Sequence, residues 1–160
     1  VFQAMDTEPF GKYQNISQQH TRGIEFEISY QTAKFQADFN YTYLKGEMTD
    51  RDSTYSSLIR RPSNAWNLYL QAKLANKWSV GLSNQYVGQR TDYFYDESTY
   101  SVQPNPMSAY LWTDISIHYQ VNAKWKISAL LKNALNQEIS EITGYSGQPR
   151  NLQISLSGVF

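Results

Sequence analysis

The sequence contains no cysteine, no long hydrophobic run and no excess of charge of either sign. Without cysteine, its 160 residues cannot form disulfides or thiolate metal sites, although this absence does not identify a compartment. The mean hydropathy is −0.59, and no apolar run approaches the roughly 20 residues of a membrane-spanning helix, so membrane residence would require strands. Fourteen basic residues balance fourteen acidic ones, which argues against nucleic acid as a partner.

What the sequence does contain is a repeated alternation of polar and apolar residues. Residues 150–160 alternate throughout and give a strand one apolar and one polar face, because successive side chains point to opposite sides. Similar segments lie at 24–30, 35–43, 66–74, 78–86, 111–119 and 125–131. The main breaks in the alternation of these segments are Asn84 and Leu130. The chain is therefore predicted to be all-β, with seven amphipathic strands.

The connections between these strands alternate strictly between short and long. The short ones are 31–34, 75–77 and 120–124; the long ones are 46–62, 97–108 and 137–148. Outer-membrane barrels have tight periplasmic turns and long extracellular loops, whereas a soluble sandwich has no reason to sort its loops by end. The sorting favours an antiparallel up-and-down transmembrane β-barrel.

Aromatic residues make up 15% of the chain, and they fall near the strand ends. A lipid-facing strand should carry rings where it crosses each membrane interface. Near the short turns, the apolar faces carry Tyr30, Phe35, Trp78, Tyr119, Trp125 and the terminal Phe160. Near the long loops, Tyr43, Trp66 and Tyr86 form a sparser group. The two groups predict two aromatic girdles; the alternative is that these rings form the core of a soluble β domain.

Seven is an odd number of strands, whereas bacterial single-chain barrels have even numbers. The first strand follows a polar segment, 6–17, and residues 1–5 could be the tip of a preceding strand. No signal peptide opens the chain. Because an unclosed sheet exposes two unpaired edges to lipid, we expect residues 1–160 to be the C-terminal part of a larger barrel.

Several short motifs resemble the C-terminal strands of TonB-dependent outer-membrane receptors, closest to the vitamin B12 receptor branch. The matching residues are Tyr13 and Asn15; Gly23 and Glu25; Arg60, Arg61 and Pro62; Tyr86, Val87, Gly88, Arg90 and Asp92; Asn133, Ala134, Leu135 and Asn136; and Gly144, Tyr145, Pro149 and Arg150, with a displaced glycine at Gly147. The resemblance covers nearly the whole chain. It implies about seven strands of a barrel of about 22, in the bacterial outer membrane.

The resemblance also implies a function and a set of partners. Receptors of this family import a scarce nutrient, which binds the extracellular loops and a plug domain. The TonB complex acts on the plug through a periplasmic segment; neither the plug nor that segment is in this sequence. We therefore expect as partners outer-membrane lipid, the rest of the barrel and plug, the TonB complex and a nutrient, with cobalamin ahead of ferric siderophore and haem. No cofactor and no enzymatic activity are expected.

Candidate ligand contacts lie on the outer side, in the loop 93–107 and in the loop around Gly144 and Tyr145. Tyr93, Tyr95, Tyr100 and Tyr145 could stack on a flat macrocycle, since tyrosine supplies large contact area at low entropic cost. The alternative is that these tyrosines belong to the aromatic girdle near the long loops, or that they pack one loop against another. Arg90, with Arg60 and Arg61, could pair with an anionic group or bond the plug and neighbouring strands. In this family Phe160 resembles the signal that the barrel assembly machinery reads.

Two further constellations have ordinary explanations. Asp50 and Asp52 could contribute carboxylates to a Ca²⁺ site, but two acids are too few and a solvated loop is expected. Ser116 and His118 share a face, yet they lack an orienting partner for catalysis and are expected to be a structural polar pair. Two other architectures remain open: a small eight-stranded barrel acting as an anchor or adhesin, and a soluble carrier of lipocalin type.

Overall fold

The structure is a computed structural model, which describes residues 2–5, 8–13, 18–50, 53–55 and 58–159. These residues form twelve strands, and none of them lies in a helix able to cross a membrane. The seven long strands are β3 (Gln18–Gln31), β4 (Phe35–Asp50), β6 (Asn64–Ala75), β7 (Trp78–Val87), β10 (Tyr110–Gln120), β11 (Trp125–Lys132) and β12 (Asn151–Gly158). The short strands are β1 (Phe2–Met5), β2 (Glu8–Tyr13), β5 (Ser53–Tyr55), β8 (Arg90–Asp96) and β9 (Ser101–Met107).

The seven long strands form one antiparallel sheet in the order β12-β11-β10-β7-β6-β4-β3. Each strand lies beside the next long strand in the chain, so the path runs up and down, and β5 pairs with the end of β4. The seven predicted strands and their all-β, antiparallel topology are confirmed. In the described part of the chain, β3 and β12 each have one neighbour in this sheet, which leaves it open as a partial barrel.

The register places every predicted apolar face on the same side of the sheet. Ile28 lies opposite Phe39, Phe39 opposite Leu68, and the same alignment continues to Ile154 opposite Ala129. A register shift of one residue in any strand pair would move the apolar side chains of one strand to the opposite face of the sheet. The apolar stripes of seven strands therefore join into one continuous surface, called the apolar face below.

Protein does not cover the apolar face. Ile24 is 68% exposed, Ile28 57% and Ile154 72%, although all three are large and apolar. Among the described residues, the buried apolar side chains instead lie towards the long loops: Met48, Leu58, Met107, Tyr110 and Ile139. A sandwich would bury such a face against a second sheet, so the soluble β domain is excluded and the apolar face is suited to lipid.

Rings line the apolar face at both ends of the strands. At the short-turn end, the rings of Trp78 and Tyr119 lie 4.5 Å apart, and those of Tyr30 and Phe35 lie 6.3 Å apart. At the long-loop end, Trp66 stacks on Tyr86 with centroids 5.7 Å apart and planes 14° apart. Apart from Phe160, which lies outside the described residues, both predicted groups of rings therefore lie where a barrel places its aromatic girdles.

The main break in the apolar pattern is a satisfied polar pair. Asn84 and Thr113 lie directly opposite each other on β7 and β10. The Thr113 hydroxyl donates to Asn84 Oδ1 at 2.7 Å, and Thr113 is only 7% exposed. Leu130, the other break, pairs with Ser116 and Gln153 and so lies on the polar face. Neither break changes the strand register.

The short turns match the sequence prediction and are built by side-chain caps. Asn122 Oδ1 accepts hydrogen bonds from the backbone N–H groups of Lys124 and Trp125, at 2.9 and 3.0 Å. Thr32 Oγ1 accepts one from Phe35 N at 3.0 Å. These local bonds reverse the chain within a few residues, as expected for residues with short polar side chains.

Two sequence predictions about the connections need correction. The segment 97–108 is not one long loop, because β9 pairs with β8 to form a hairpin. The segment 46–62 likewise contains the end of β4 and the short β5.

Residues 2–5 form a strand, but it pairs with β2 in a separate two-stranded sheet. This hairpin does not fill the place between β3 and β12, so the described residues do not form a closed eight-stranded barrel.

Candidate functional site

Three connections meet at the long-loop end of the sheet. They are residues 58–63, the β8–β9 hairpin (90–107) and the loop 133–150 between β11 and β12, and together they are called the loop cap. An isolated bridge joins Ile59 to Thr91, and Arg60 N donates to Thr91 O at 2.8 Å. In an outer-membrane barrel such loops lie on the extracellular side. The loop cap is therefore the part of the chain that an external ligand would meet first.

Asp92 joins the three parts of the loop cap. Its side chain is fully buried, and it accepts hydrogen bonds from Arg60 Nε at 2.6 Å, Tyr93 N at 2.8 Å and Thr143 N at 2.9 Å. Arg60 belongs to the first connection and Thr143 to the third. A buried carboxylate is stable only when its oxygens are paired in this way. One charged group thus contacts all three parts of the loop cap.

These contacts also set the ionisation of Asp92. Burial removes water from the carboxylate and by itself raises the pKa. The hydrogen bonds from Thr143 N, from Arg60 and from Tyr93 N act in the opposite direction and hold the pKa well below its ordinary value of 3.8. The carboxylate is therefore ionised whenever the loops are docked at neutral pH.

Arg90, predicted as a ligand contact, is the first residue of the β8–β9 hairpin and is buried within the loop cap. It is 8% exposed, and one guanidinium nitrogen donates to Ser140 O at 2.6 Å. Its charge also lies over the ring of Tyr110, 5.3 Å from the centroid. The other terminal nitrogen, Nη1, is buried without a hydrogen-bond partner among the described residues. The structure thus engages Arg90 in holding the loop 133–150 against β10.

The loop 133–150 is organised by two asparagines with positive φ. Asn133 has φ 48° and is fully buried; its amide donates to Gln137 O and Gln148 O, and its Oδ1 accepts from Gln137 N. Asn136 has φ 50°, and its Oδ1 accepts from Arg150 N at 3.1 Å. Asparagine tolerates the left-handed region better than most residues. The sequence analysis treated these residues only as a turn motif.

The four candidate tyrosines occupy three places in the loop cap. Tyr93 and Tyr95 are two residues apart on β8 and share the face opposite Asp92. Tyr93 is half-buried and Tyr95 is 58% exposed. Tyr100 is 81% exposed at the tip of the β8–β9 hairpin, with φ 49°. Tyr145 is 73% exposed beside Gly144 in the loop 133–150. Three of the four rings therefore extend into solvent.

The loop cap also encloses two clefts. The larger, about 740 Å³, lies between the end of β9 with the start of β10 and the loop 133–150. It is called the amide cleft because Asn105, Asn136 and Gln137 line it. A smaller cleft of about 360 Å³ has Arg61 and Arg90 among its lining residues. The volume of the amide cleft is that of a small-molecule site.

The remaining sequence candidates do not assemble a reactive site. His118 Nδ1 bonds Ser128 Oγ at 2.9 Å across the β10–β11 pair, so its partner is Ser128 rather than the predicted Ser116. Among the described residues, no three acidic or histidine side chains cluster as metal ligands. Asp52 and Phe160 lie outside the described residues, so the solvated loop around Asp52 and the assembly signal at Phe160 keep the status of predictions.

A partial barrel with an exposed apolar face, two aromatic girdles and long loops gathered at one end defines an outer-membrane β-barrel. The sequence of residues 2–134 matches the family described as TonB dependent receptor-like, beta-barrel. The chain therefore belongs to this family, whose members are transport receptors of the bacterial outer membrane, and the outer membrane is its location.

Individual relatives agree with this assignment. The vitamin B12 transporter BtuB of Vibrio cholerae serotype O1 is 30% identical over 152 residues, which are 92% of this chain and 23% of the transporter. The pyoverdine outer membrane receptor FpvA of Pseudomonas aeruginosa PAO1 has a similar structure, with a TM-score of 0.80 at 23% identity, covering 97% of this chain and 24% of the receptor. The ferric-catecholate import receptor Fiu of E. coli K12 gives a TM-score of 0.76 at 22% identity, covering 89% of this chain and 21% of Fiu. The chain thus spans about a quarter of the length of the relatives it matches.

Proposed function

We propose that this chain forms part of the barrel of an outer-membrane receptor that imports a scarce nutrient, with cobalamin as the preferred nutrient. The remaining strands of the barrel and a plug domain are its proposed structural partners. The TonB complex, acting through the plug, supplies the energy for uptake. In this proposal the chain contributes seven strands of the wall and part of the extracellular ligand-binding surface.

The single observation that carries the cobalamin preference is the 30% identity to a vitamin B12 transporter over 92% of the chain. The structural relatives that take up pyoverdine or ferric catecholates share less sequence, 23% and 22%. Likeness at that level supports the fold, whereas the higher sequence identity to the vitamin B12 transporter supports a shared ligand. Ferric siderophore is therefore the second candidate, and haem the third.

The loop cap supports ligand binding at the extracellular end. Its exposed rings, Tyr95, Tyr100 and Tyr145, offer flat apolar surfaces to a macrocycle. The contacts of Asp92 and Arg90 hold the loops that carry these rings in a defined arrangement. A surface fixed before binding loses less conformational entropy when the ligand arrives. We accordingly retain the tyrosines as proposed ligand contacts and assign Arg90 a positioning role.

The experiment is a binding titration on the purified full-length receptor that carries this chain. Cyanocobalamin, a ferric siderophore and haem are titrated separately, and a heat-modifiable band on electrophoresis controls for an assembled barrel. We expect cyanocobalamin to bind most tightly. Tighter binding of ferric siderophore would contradict the cobalamin preference, and an assembled receptor that binds none of the three would contradict nutrient uptake.

A further inference from the structure

The amide cleft presents hydrogen-bonding groups that the protein itself leaves unused. Gln137 Oε1 accepts from Leu111 N at 2.9 Å, and Asn136 Oδ1 accepts from Arg150 N at 3.1 Å. These bonds fix the oxygen end of each amide. The nitrogen end of each has no hydrogen-bond partner in the described part of the chain. Two oriented N–H₂ donors are therefore available in the wall of the cleft.

The opposite wall of the cleft adds an acceptor. Asn105 Nδ2 donates to Thr143 Oγ1 at 2.9 Å, which leaves Asn105 Oδ1 without a partner within the described segments. The half-buried Asn105 is thereby held by the same loop that carries Asn136 and Gln137. Because each amide is already anchored at one end, little rotamer freedom remains to be lost on binding.

The cleft combines these polar groups with a few apolar side chains. Met107, Tyr110 and Ile139 are among its lining residues, although each exposes less than a tenth of its surface. A volume of about 740 Å³ is within the usual range for a small-molecule site. The cleft could therefore hold part of a ligand and need not be filled by protein.

The charge of the cleft selects among ligands. Of the described residues that line it, Glu138 is the one acid, and none is lysine or arginine. A carboxylate or catecholate ligand would find no cation among these lining residues, because the neighbouring Arg90 is buried against Ser140 O and the Tyr110 ring, and it would meet Glu138. An uncharged ligand with carbonyl and N–H groups would instead complete the bonds that the three amides offer.

From these observations we propose that the amide cleft is a ligand-contact site for an uncharged molecule bearing several amide groups, with Asn136 and Gln137 as donors. This proposal rests on the proposed function and assigns a site and a selectivity within it. Cobalamin belongs to this chemical class because its corrin ring carries peripheral amides. Hydrolysis of one such amide gives a monocarboxylate of nearly the same shape, which is the matched probe for charge.

The test uses substitutions that keep the internal contact and remove only the free donor. Asn136→Asp and Gln137→Glu each retain the accepting oxygen and replace the unused N–H₂ by a second oxygen. Asn122→Asp is the control, because Asn122 Oδ1 also accepts two backbone N–H groups but lies in a short turn at the opposite end of the sheet. All three variants are made in the full-length receptor and checked for an assembled barrel.

We expect Asn136→Asp and Gln137→Glu each to weaken cyanocobalamin binding by about tenfold, the effect of one lost hydrogen bond, and Asn122→Asp to bind as the unmodified receptor does. The monocarboxylate should bind more weakly than cyanocobalamin, and Glu138→Gln should narrow that difference. Unchanged affinity in both cleft variants would overturn the assignment of the cleft while leaving cobalamin uptake intact. A receptor that prefers ferric siderophore to cyanocobalamin would overturn both the ligand class and the proposed function.

Discussion

Replacement of Asp92 by alanine should loosen the attachment of the loop 133–150 to the rest of the loop cap. The substitution removes the hydrogen bonds that the carboxylate accepts from Tyr93 N and Thr143 N, and each hydrogen bond to a charged group contributes about 1.5–3 kcal/mol. Arg60 contributes less, because its side chain is 50% exposed and water can replace the carboxylate. Together these terms give about 3 kcal/mol, which corresponds to an increase on the order of 10²-fold in loop opening.

Hydrogen exchange of the full-length receptor, followed by mass spectrometry, measures this opening directly. Amides of residues 139–147 should exchange on the order of 10²-fold faster in Asp92→Ala, because Thr143 N loses its acceptor and the neighbouring turn bonds open with it. Amides of β10 and β11 should keep their protection, since the sheet pairs do not involve Asp92.

Asp96→Ala is the matched control. Its carboxylate bonds Ser98 N and Ser98 Oγ, with Thr99 beside them, within the hairpin turn, so this variant should alter exchange near residues 98 and 99. Unchanged exchange of residues 139–147 in Asp92→Ala would refute the view that the buried carboxylate stabilises the docked loops.

Three further predictions concern pH, the apolar face and strand packing. Docking of the loops lowers the pKa of Asp92 below 3.8, so the stability that Asp92 gives to the docked loops is complete above that pH and is lost as the pH falls towards the lowered pKa. Protection of the loop-cap amides from hydrogen exchange, corrected for the intrinsic exchange rate, should therefore be constant from about pH 5 to 8 and decrease below about pH 4. A transition within the neutral range would contradict this. Thr113→Val should destabilise the barrel by about 1–3 kcal/mol in urea unfolding from vesicles because it leaves Asn84 unpaired, and adding Asn84→Leu should recover most of the loss; additive losses would disprove the pairing. Gly23→Ala should cost about 1–3 kcal/mol in the same assay, since its Cβ would overlap the main-chain oxygen of Tyr43 on β4. Wild-type stability would show that this contact relaxes freely.

The strands could be predicted from the sequence because their pattern is local. Alternation over eight to sixteen residues fixes which side chains share a face, and lipid requires every strand to obey it. Even the polar break at Asn84 is explained by one residue, Thr113, which lies directly opposite it on the paired strand. The hairpin β8–β9 was missed because Pro104 and Pro106 disfavour a strand by the same local rules, although they are tolerated in a two-stranded hairpin with free edges.

The loop cap could not be predicted because its contacts are distant in sequence. Asp92 bonds Arg60 across 32 positions and Thr143 across 51, and no periodicity reports such pairs. Arg90 was selected for its charge as a ligand contact, whereas its contact with Ser140, 50 positions away, engages it beneath the loop. Asn133 and Asn136 carried the one local signal available, since asparagine in a turn motif indicates positive φ.

Uptake of labelled cyanocobalamin by intact cells tests the central claim most directly. The full-length receptor that carries this chain is expressed in bacteria that lack their own cobalamin receptor, with and without a functional TonB protein. We predict saturable accumulation of cyanocobalamin that requires TonB and that unlabelled ferric siderophore does not inhibit. TonB-dependent accumulation of ferric siderophore, with no accumulation of cyanocobalamin by the same cells, would contradict the account.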